Sequence, residues 1–63
     1  MTYGEARTIE PGDTIRYSAG AEMREQTVTG PIHVFKRDRG MVVFVPVRGE
    51  LVVNTRIVGV ARG

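Results

Sequence analysis

Met41-Val42-Val43-Phe44-Val45-Pro46-Val47, continued after Arg48-Gly49-Glu50 by Leu51-Val52-Val53, is the stretch that decides the fold. It is apolar at successive positions, where a strand with one wet face would alternate. Seven residues of β-structure extend roughly 23 Å, with side chains leaving on both faces. Arg48-Gly49 separates the two apolar runs with turn chemistry, so the pair reads as a hairpin. A chain of 63 residues builds one core, so one face of the hairpin points inward and the other needs a cover. If Val43, Val45 and Val47 point inward, Val42, Phe44 and Pro46 form the outer row. The opposite phase puts Met41, Val43, Val45 and Val47 outside. In either phase an apolar strip is left. Its cover is a second copy, another protein, or the N-terminal segment folding back through Tyr3 and Ile9.

Working outward from this hairpin, Asp38-Arg39-Gly40 is a second tight turn, with Gly40 suited to a positive φ after a type I turn. Ahead of it, Thr27-Val28-Thr29 and Ile32-His33-Val34-Phe35-Lys36 read as one long strand bent at Gly30-Pro31, since proline removes a ladder donor. Glu10-Pro11-Gly12-Asp13 is a turn, and Thr14-Ile15-Arg16-Tyr17 alternates as a strand. Ser18 to Glu25 contains helix formers over too short a span for a free helix, and reads as a loop with at most one helical turn. Residues 1–8 read as a flexible N-terminal arm or a short edge strand, and residues 9–63 as the folded domain. Polar Asn54-Thr55-Arg56 interrupts the pattern before a last strand, Ile57-Val58-Gly59-Val60. Five strands joined mostly by tight turns predict an all-β chain curled into a small barrel.

Composition limits the chemistry. There is no cysteine and one histidine, His33, so thiolate and multi-histidine metal sites are excluded and no metal or cofactor is expected. His33 has no sequence context that marks a nucleophile beside it, and no glycine-rich loop opens a helix to cradle phosphate. The chain is expected not to be an enzyme. No stretch approaches the roughly 20 apolar residues of a membrane helix, and the first residues lack the apolar centre of a signal peptide. A cytoplasmic location is the expectation.

The opening Pro11-Gly12-Asp13-Thr14-Ile15, the loop after it, the kinked strand, the two hairpins and Leu51 to Val58 with its polar interruption resemble an SH3-like small β-barrel, with the layout shared by KOW and Tudor domains. The resemblance implies five strands and a single 3₁₀ turn before the last of them. Gly12-Asp13-Thr14-Ile15-Arg16 and Ser18-Ala19-Gly20-Ala21 are also similar to the first strand and loop of type II dihydrofolate reductases, which are barrels of this size. Those enzymes line a pore with a Val-Gln-Ile-Tyr segment. Here Leu51-Val52-Val53-Asn54 stands in its place, so the likeness implies architecture and not that activity.

Charge separates the two halves. Residues 1–31 carry Arg7, Arg16 and Arg24 against Glu5, Glu10, Asp13, Glu22 and Glu25; residues 32–63 carry Lys36, Arg37, Arg39, Arg48, Arg56 and Arg62 against Asp38 and Glu50. The basic half points to a polyanion, and arginine suits bidentate phosphate contacts. Lys36, Arg37, Arg39 and Arg48 at the hairpin turns, with Arg56, are the candidate nucleic-acid contacts. Val42, Phe44 and Pro46 are the candidate interface for a homodimer or a protein partner. The expectation is a nucleic-acid-binding or regulatory accessory protein acting as a small homo-oligomer, with a protein-interaction module built on residues 41–47 as the alternative.

Overall fold

The computed structural model describes residues 1–63. A helical turn, α1 (Tyr3–Ala6), precedes six strands: β1 (Thr14–Ala19), β2 (Glu22–Thr27), β3 (His33–Arg37), β4 (Gly40–Val47), β5 (Glu50–Val53) and β6 (Ile57–Ala61). A 3₁₀ turn, Asn54–Arg56, joins β5 to β6 as expected. The strands form two antiparallel three-stranded sheets, ordered β2-β1-β6 and β3-β4-β5. This corrects the expectation of a closed five-stranded barrel. The all-β class stands, but the single strand expected from Thr27 to Lys36, bent at Gly30-Pro31, divides. Residues 28–32 lie outside any strand, so β2 ends in one sheet and β3 begins in the other. Gly30-Pro31 sits in that gap, where a missing donor and a flexible backbone let the chain change sheets.

The segment expected to be a loop is also a strand. Gly20-Ala21 turns the chain between Ala19 and Glu22, and β2 pairs with β1 from Ala19↔Glu22 to Thr14↔Thr27. Gly20 has φ +65°, and glycine at the first central position is what a type II′ hairpin requires. The two expected hairpins are present. Arg37↔Gly40 closes one and Val47↔Glu50 the other, with Gly40 at φ +126°.

The phase of β4 is settled by burial. Val43, Val45 and Val47 are buried, while Val42, Phe44 and Pro46 are half-buried on the other face. The core joins those valines to Ile15 and Tyr17 of β1, Val28, Val52, Ile57, Ala6 and Ile9. Each fully buried aliphatic or aromatic side chain contributes about 1.5–3 kcal/mol, so ten such residues make a small core.

In place of the expected arm or edge strand, the N-terminal residues form α1. The Thr2 hydroxyl accepts the Glu5 amide (3.3 Å) and the Glu5 carboxylate accepts the Thr2 amide (3.1 Å), a reciprocal cap. Ala6 and Ile9 enter the core beside the inward valines, so this segment packs inside and leaves the outer row of β4 uncovered by it. Buried Asn54 ties the N-terminal residue to β4. Its Oδ1 accepts the Val43 amide (3.1 Å) and its Nδ2 donates to the Met1 carbonyl (2.8 Å).

Candidate nucleic-acid interface

The β3–β4 hairpin presents Lys36, Arg37 and Arg39, all exposed. The tight turn at Asp38-Arg39 concentrates them because the two strands bring residues 36 and 41 opposite each other. Phe35 lies at the base of this tip and is 48% exposed. The Arg37 guanidinium carbon stands 5.9 Å from its ring centroid, and the Phe44 ring meets it edge-on at 5.6 Å. Aromatic face, guanidinium and lysine are therefore grouped on one exposed hairpin.

Arg48 is not part of that group. It lies in the β4–β5 turn, at the other end of the eight-residue β4, and eight residues of strand extend about 26 Å. Arg56 is placed differently again. Its Nε donates to the Ser18 carbonyl (2.8 Å), its Nη1 lies 3.7 Å from Glu50 Oε1, and its guanidinium covers the Tyr17 ring at 5.4 Å. Of the five expected phosphate contacts, three converge, one stands apart, and Arg56 is engaged within the fold.

The Arg56 contacts belong to a polar network between the sheets. The Tyr17 hydroxyl donates to Glu50 Oε2 (3.0 Å) and accepts from Gln26 Nε2 (3.2 Å), and Arg24 lies 3.7 Å from the same carboxylate oxygen. Glu50 thus joins β5 to β1, β2 and the 3₁₀ turn. A separate ion pair, Arg62 with Asp13 at 2.7 Å, fastens the end of the chain to the turn before β1. The cations divide accordingly. Arg24, Arg56 and Arg62 have carboxylate partners, whereas Lys36, Arg37, Arg39 and Arg48 have none within 4.0 Å. Arg7 and Arg16 are the other two unpaired cations. Arg16 lines an open hollow of about 240 Å³ on the outer face of β1, with Thr14, Glu25 and Gly59.

The outer face of β3-β4-β5 extends the strip expected from the sequence. Cross-strand register places His33 and Phe35 beside Phe44 and Val42, and Val53 and Leu51 beside Phe44 and Pro46. Phe35 and Leu51 are the most exposed of these apolar residues, at 48% and 51%. The sequence reading missed both as members of the face, although alternation outward from Val42 would have found them once the phase was known. His33, the single histidine, is exposed on the same face. The chain is a small all-β domain of paired three-stranded sheets, and no helix is long and apolar enough to cross a membrane. No protein-family model, curated protein or solved structure matches it.

Proposed function

We propose that this chain is a non-enzymatic, SH3-like accessory domain that binds single-stranded nucleic acid through the β3–β4 hairpin. The observation that carries this reading is the division of charge. The arginines that hold the fold together are neutralised by carboxylates, while Lys36, Arg37 and Arg39 are exposed, unpaired and grouped at one tip. Phe35 beside them supplies a flat apolar surface for a base, and stacking on an aromatic tolerates any sequence. The strand orders β6-β1-β2 and β3-β4-β5, with the bend at Gly30-Pro31 between them, favour the SH3-like assignment.

Fluorescence anisotropy of labelled single-stranded DNA and RNA across a salt series tests the reading. Three phosphate contacts on a single strand give a slope of about −2 in log affinity against log salt. Replacing Lys36, Arg37 and Arg39 together by alanine is expected to abolish most of that slope. Phe35→Ala should weaken binding by about tenfold, the loss of one stacked base. Absence of binding by the unaltered chain at low salt would refute the proposal.

A second reading, protein association through Val42, Phe44 and Pro46, is favoured by one observation. Those residues form a continuous apolar face with Phe35, Leu51 and Val53, and its aliphatic part offers nothing to phosphates or base edges.

A further inference from the structure

Four strands stand at sheet edges: β2, β6, β3 and β5. An edge strand offers unpaired N–H and C=O groups, and proteins guard such edges with charge, shortness or cover. Three of these edges are guarded. β2 carries Glu22, Arg24 and Glu25 along its length. β6 is covered at its start, where the Ile57 carbonyl accepts the Met1 backbone nitrogen (2.9 Å), and the Arg62 side chain just beyond its end donates to the Thr8 carbonyl (3.0 Å). β5 has only four residues.

β3 is the exception. All five of its residues are exposed, its centre is Val34-Phe35, and its charges are confined to Lys36 and Arg37 at one end. Its backbone hydrogen bonds run to β4 alone.

We propose that β3 pairs antiparallel with β3 of a second copy, about a two-fold axis through Phe35, to give a six-stranded sheet ordered β5-β4-β3-β3-β4-β5. The occupant is a second copy because it brings the same unguarded edge, so that one pairing covers both, and two-fold symmetry then fixes the register. A two-fold axis normal to the sheet keeps matching faces together, so residues of like parity stand opposite one another. Among such registers, centring on Phe35 uses all five residues. It places Val34 opposite Lys36 of the second copy and His33 opposite Arg37 of the second copy. Centring on Lys36 would set the two lysines face to face, and centring on Val34 would leave Lys36 and Arg37 of each copy without a β3 partner. The Phe35-centred pair also sets two half-exposed aromatic rings opposite each other, a favourable cross-strand pairing. A contact of five residues buries less than the roughly 1,200 Å² of standard interfaces, so the dimer is weak, with a dissociation constant on the order of micromolar to tens of micromolar.

Reversal of the second copy has a consequence for charge. Its β3–β4 tip lies at the end of the sheet where Arg48 of the first copy stands, so cations separated by the length of β4 in one chain become neighbours in the pair. The dimer does not depend on the nucleic-acid reading, and failure of one leaves the other intact.

Sedimentation equilibrium of the full chain, in low and high salt, tests the proposal with three variants whose folding is checked by circular dichroism. Val34→Lys puts a like charge opposite Lys36 at two symmetric positions and should weaken association by about tenfold at low salt. Val34→Glu creates two opposite-charge pairs and should preserve or tighten it. Leu51→Glu, on the outer face of β5 and away from the β3 edge, should leave the dimer unchanged. A monomeric wild type at about 100 μM would overturn the proposal, since a dimer of that affinity is mostly assembled there. Equal effects of Val34→Lys and Val34→Glu would do the same, as would loss of the dimer in Leu51→Glu alone, which would assign association to the sheet face.

Discussion

Asp13 shows what a single buried carboxylate does in a domain this small. Its Oδ2 accepts the Glu10 amide (3.0 Å) and Arg62 Nη1 (2.7 Å), and its Oδ1 accepts the Gly63 amide (3.2 Å). The Glu10 backbone bond chiefly holds the carboxyl below its ordinary value of 3.8, with Arg62 and Gly63 acting in the same direction against the opposing effect of burial. Glu5 is lowered as well, first by the Thr2 backbone amide. A carboxylate with a depressed folded pKa adds stability above its unfolded value, and that stability is lost as pH falls through the folded value. The melting temperature should therefore decline on acidification below about pH 4. Asp13→Asn should lower the melting temperature at neutral pH and flatten the acid limb, leaving the part due to Glu5. Thermal unfolding followed by circular dichroism across that range checks this, and parallel profiles for the two proteins would show that Asp13 is not the titrating group. The turn role of Asp13 was legible beside Pro11-Gly12. Its ion pair was not, because Arg62 lies 49 positions away and no local pattern joins them.

At the scale of elements, tight turns and apolar runs were legible, whereas segments decided by their neighbours were not. The hairpins at Asp38-Arg39 and Arg48-Gly49, the polar 3₁₀ turn and the last strand all follow from local chemistry. β2 does not. Ala21 to Gln26 contains helix formers, and six ladder positions against β1 override that preference. A local sign was present in Gly20-Ala21, a Gly-first pair between two potential strands. The helical turn at the N-terminus had its sign too, in Thr2 and Glu5 at capping-box spacing, obscured by Gly4 and by the absence of any following period. The β1–β2 hairpin thus rests on one backbone conformation. Gly20→Val must force a β-branched residue to φ +65°, and is expected to destabilise the fold by about 1–2 kcal/mol. Nothing lies within 4 Å of a Cβ added there, so the penalty is conformational and not a clash. Urea unfolding should show a lower midpoint with an unchanged slope. A midpoint equal to wild type would mean that the turn relaxes without cost.

In the molecule as a whole, cations that build the framework are separate from cations at the surface, and only half of that division was legible in the sequence. Excess positive charge in residues 32–63 was visible, but not which cations the fold consumes. Arg56 looked equivalent to Arg48 until the Glu50 network placed it between the sheets. The same economy sets how much disturbance the domain tolerates. A core of ten buried residues in a chain of this size supplies no more than about 3–5 kcal/mol of net stability. Val45 of β4 is fully buried, and truncating it to alanine removes two methyl groups and leaves a cavity, a loss of about 2–3 kcal/mol. Val45→Ala should therefore populate the unfolded state measurably at room temperature while leaving Lys36, Arg37, Arg39 and Phe35 in place on the surface. That makes it a sensitive reporter of function, because a ligand that binds only the native state restores stability by mass action, about 2.7 kcal/mol at a hundredfold excess over its dissociation constant. Thermal unfolding of Val45→Ala with increasing single-stranded oligonucleotide at low salt should show a rising midpoint. The rise should vanish when Lys36, Arg37 and Arg39 are also replaced by alanine. If the midpoint stays fixed although the oligonucleotide is bound, binding does not distinguish native from unfolded chain, and the exposed hairpin is then a charged segment without a folded recognition surface.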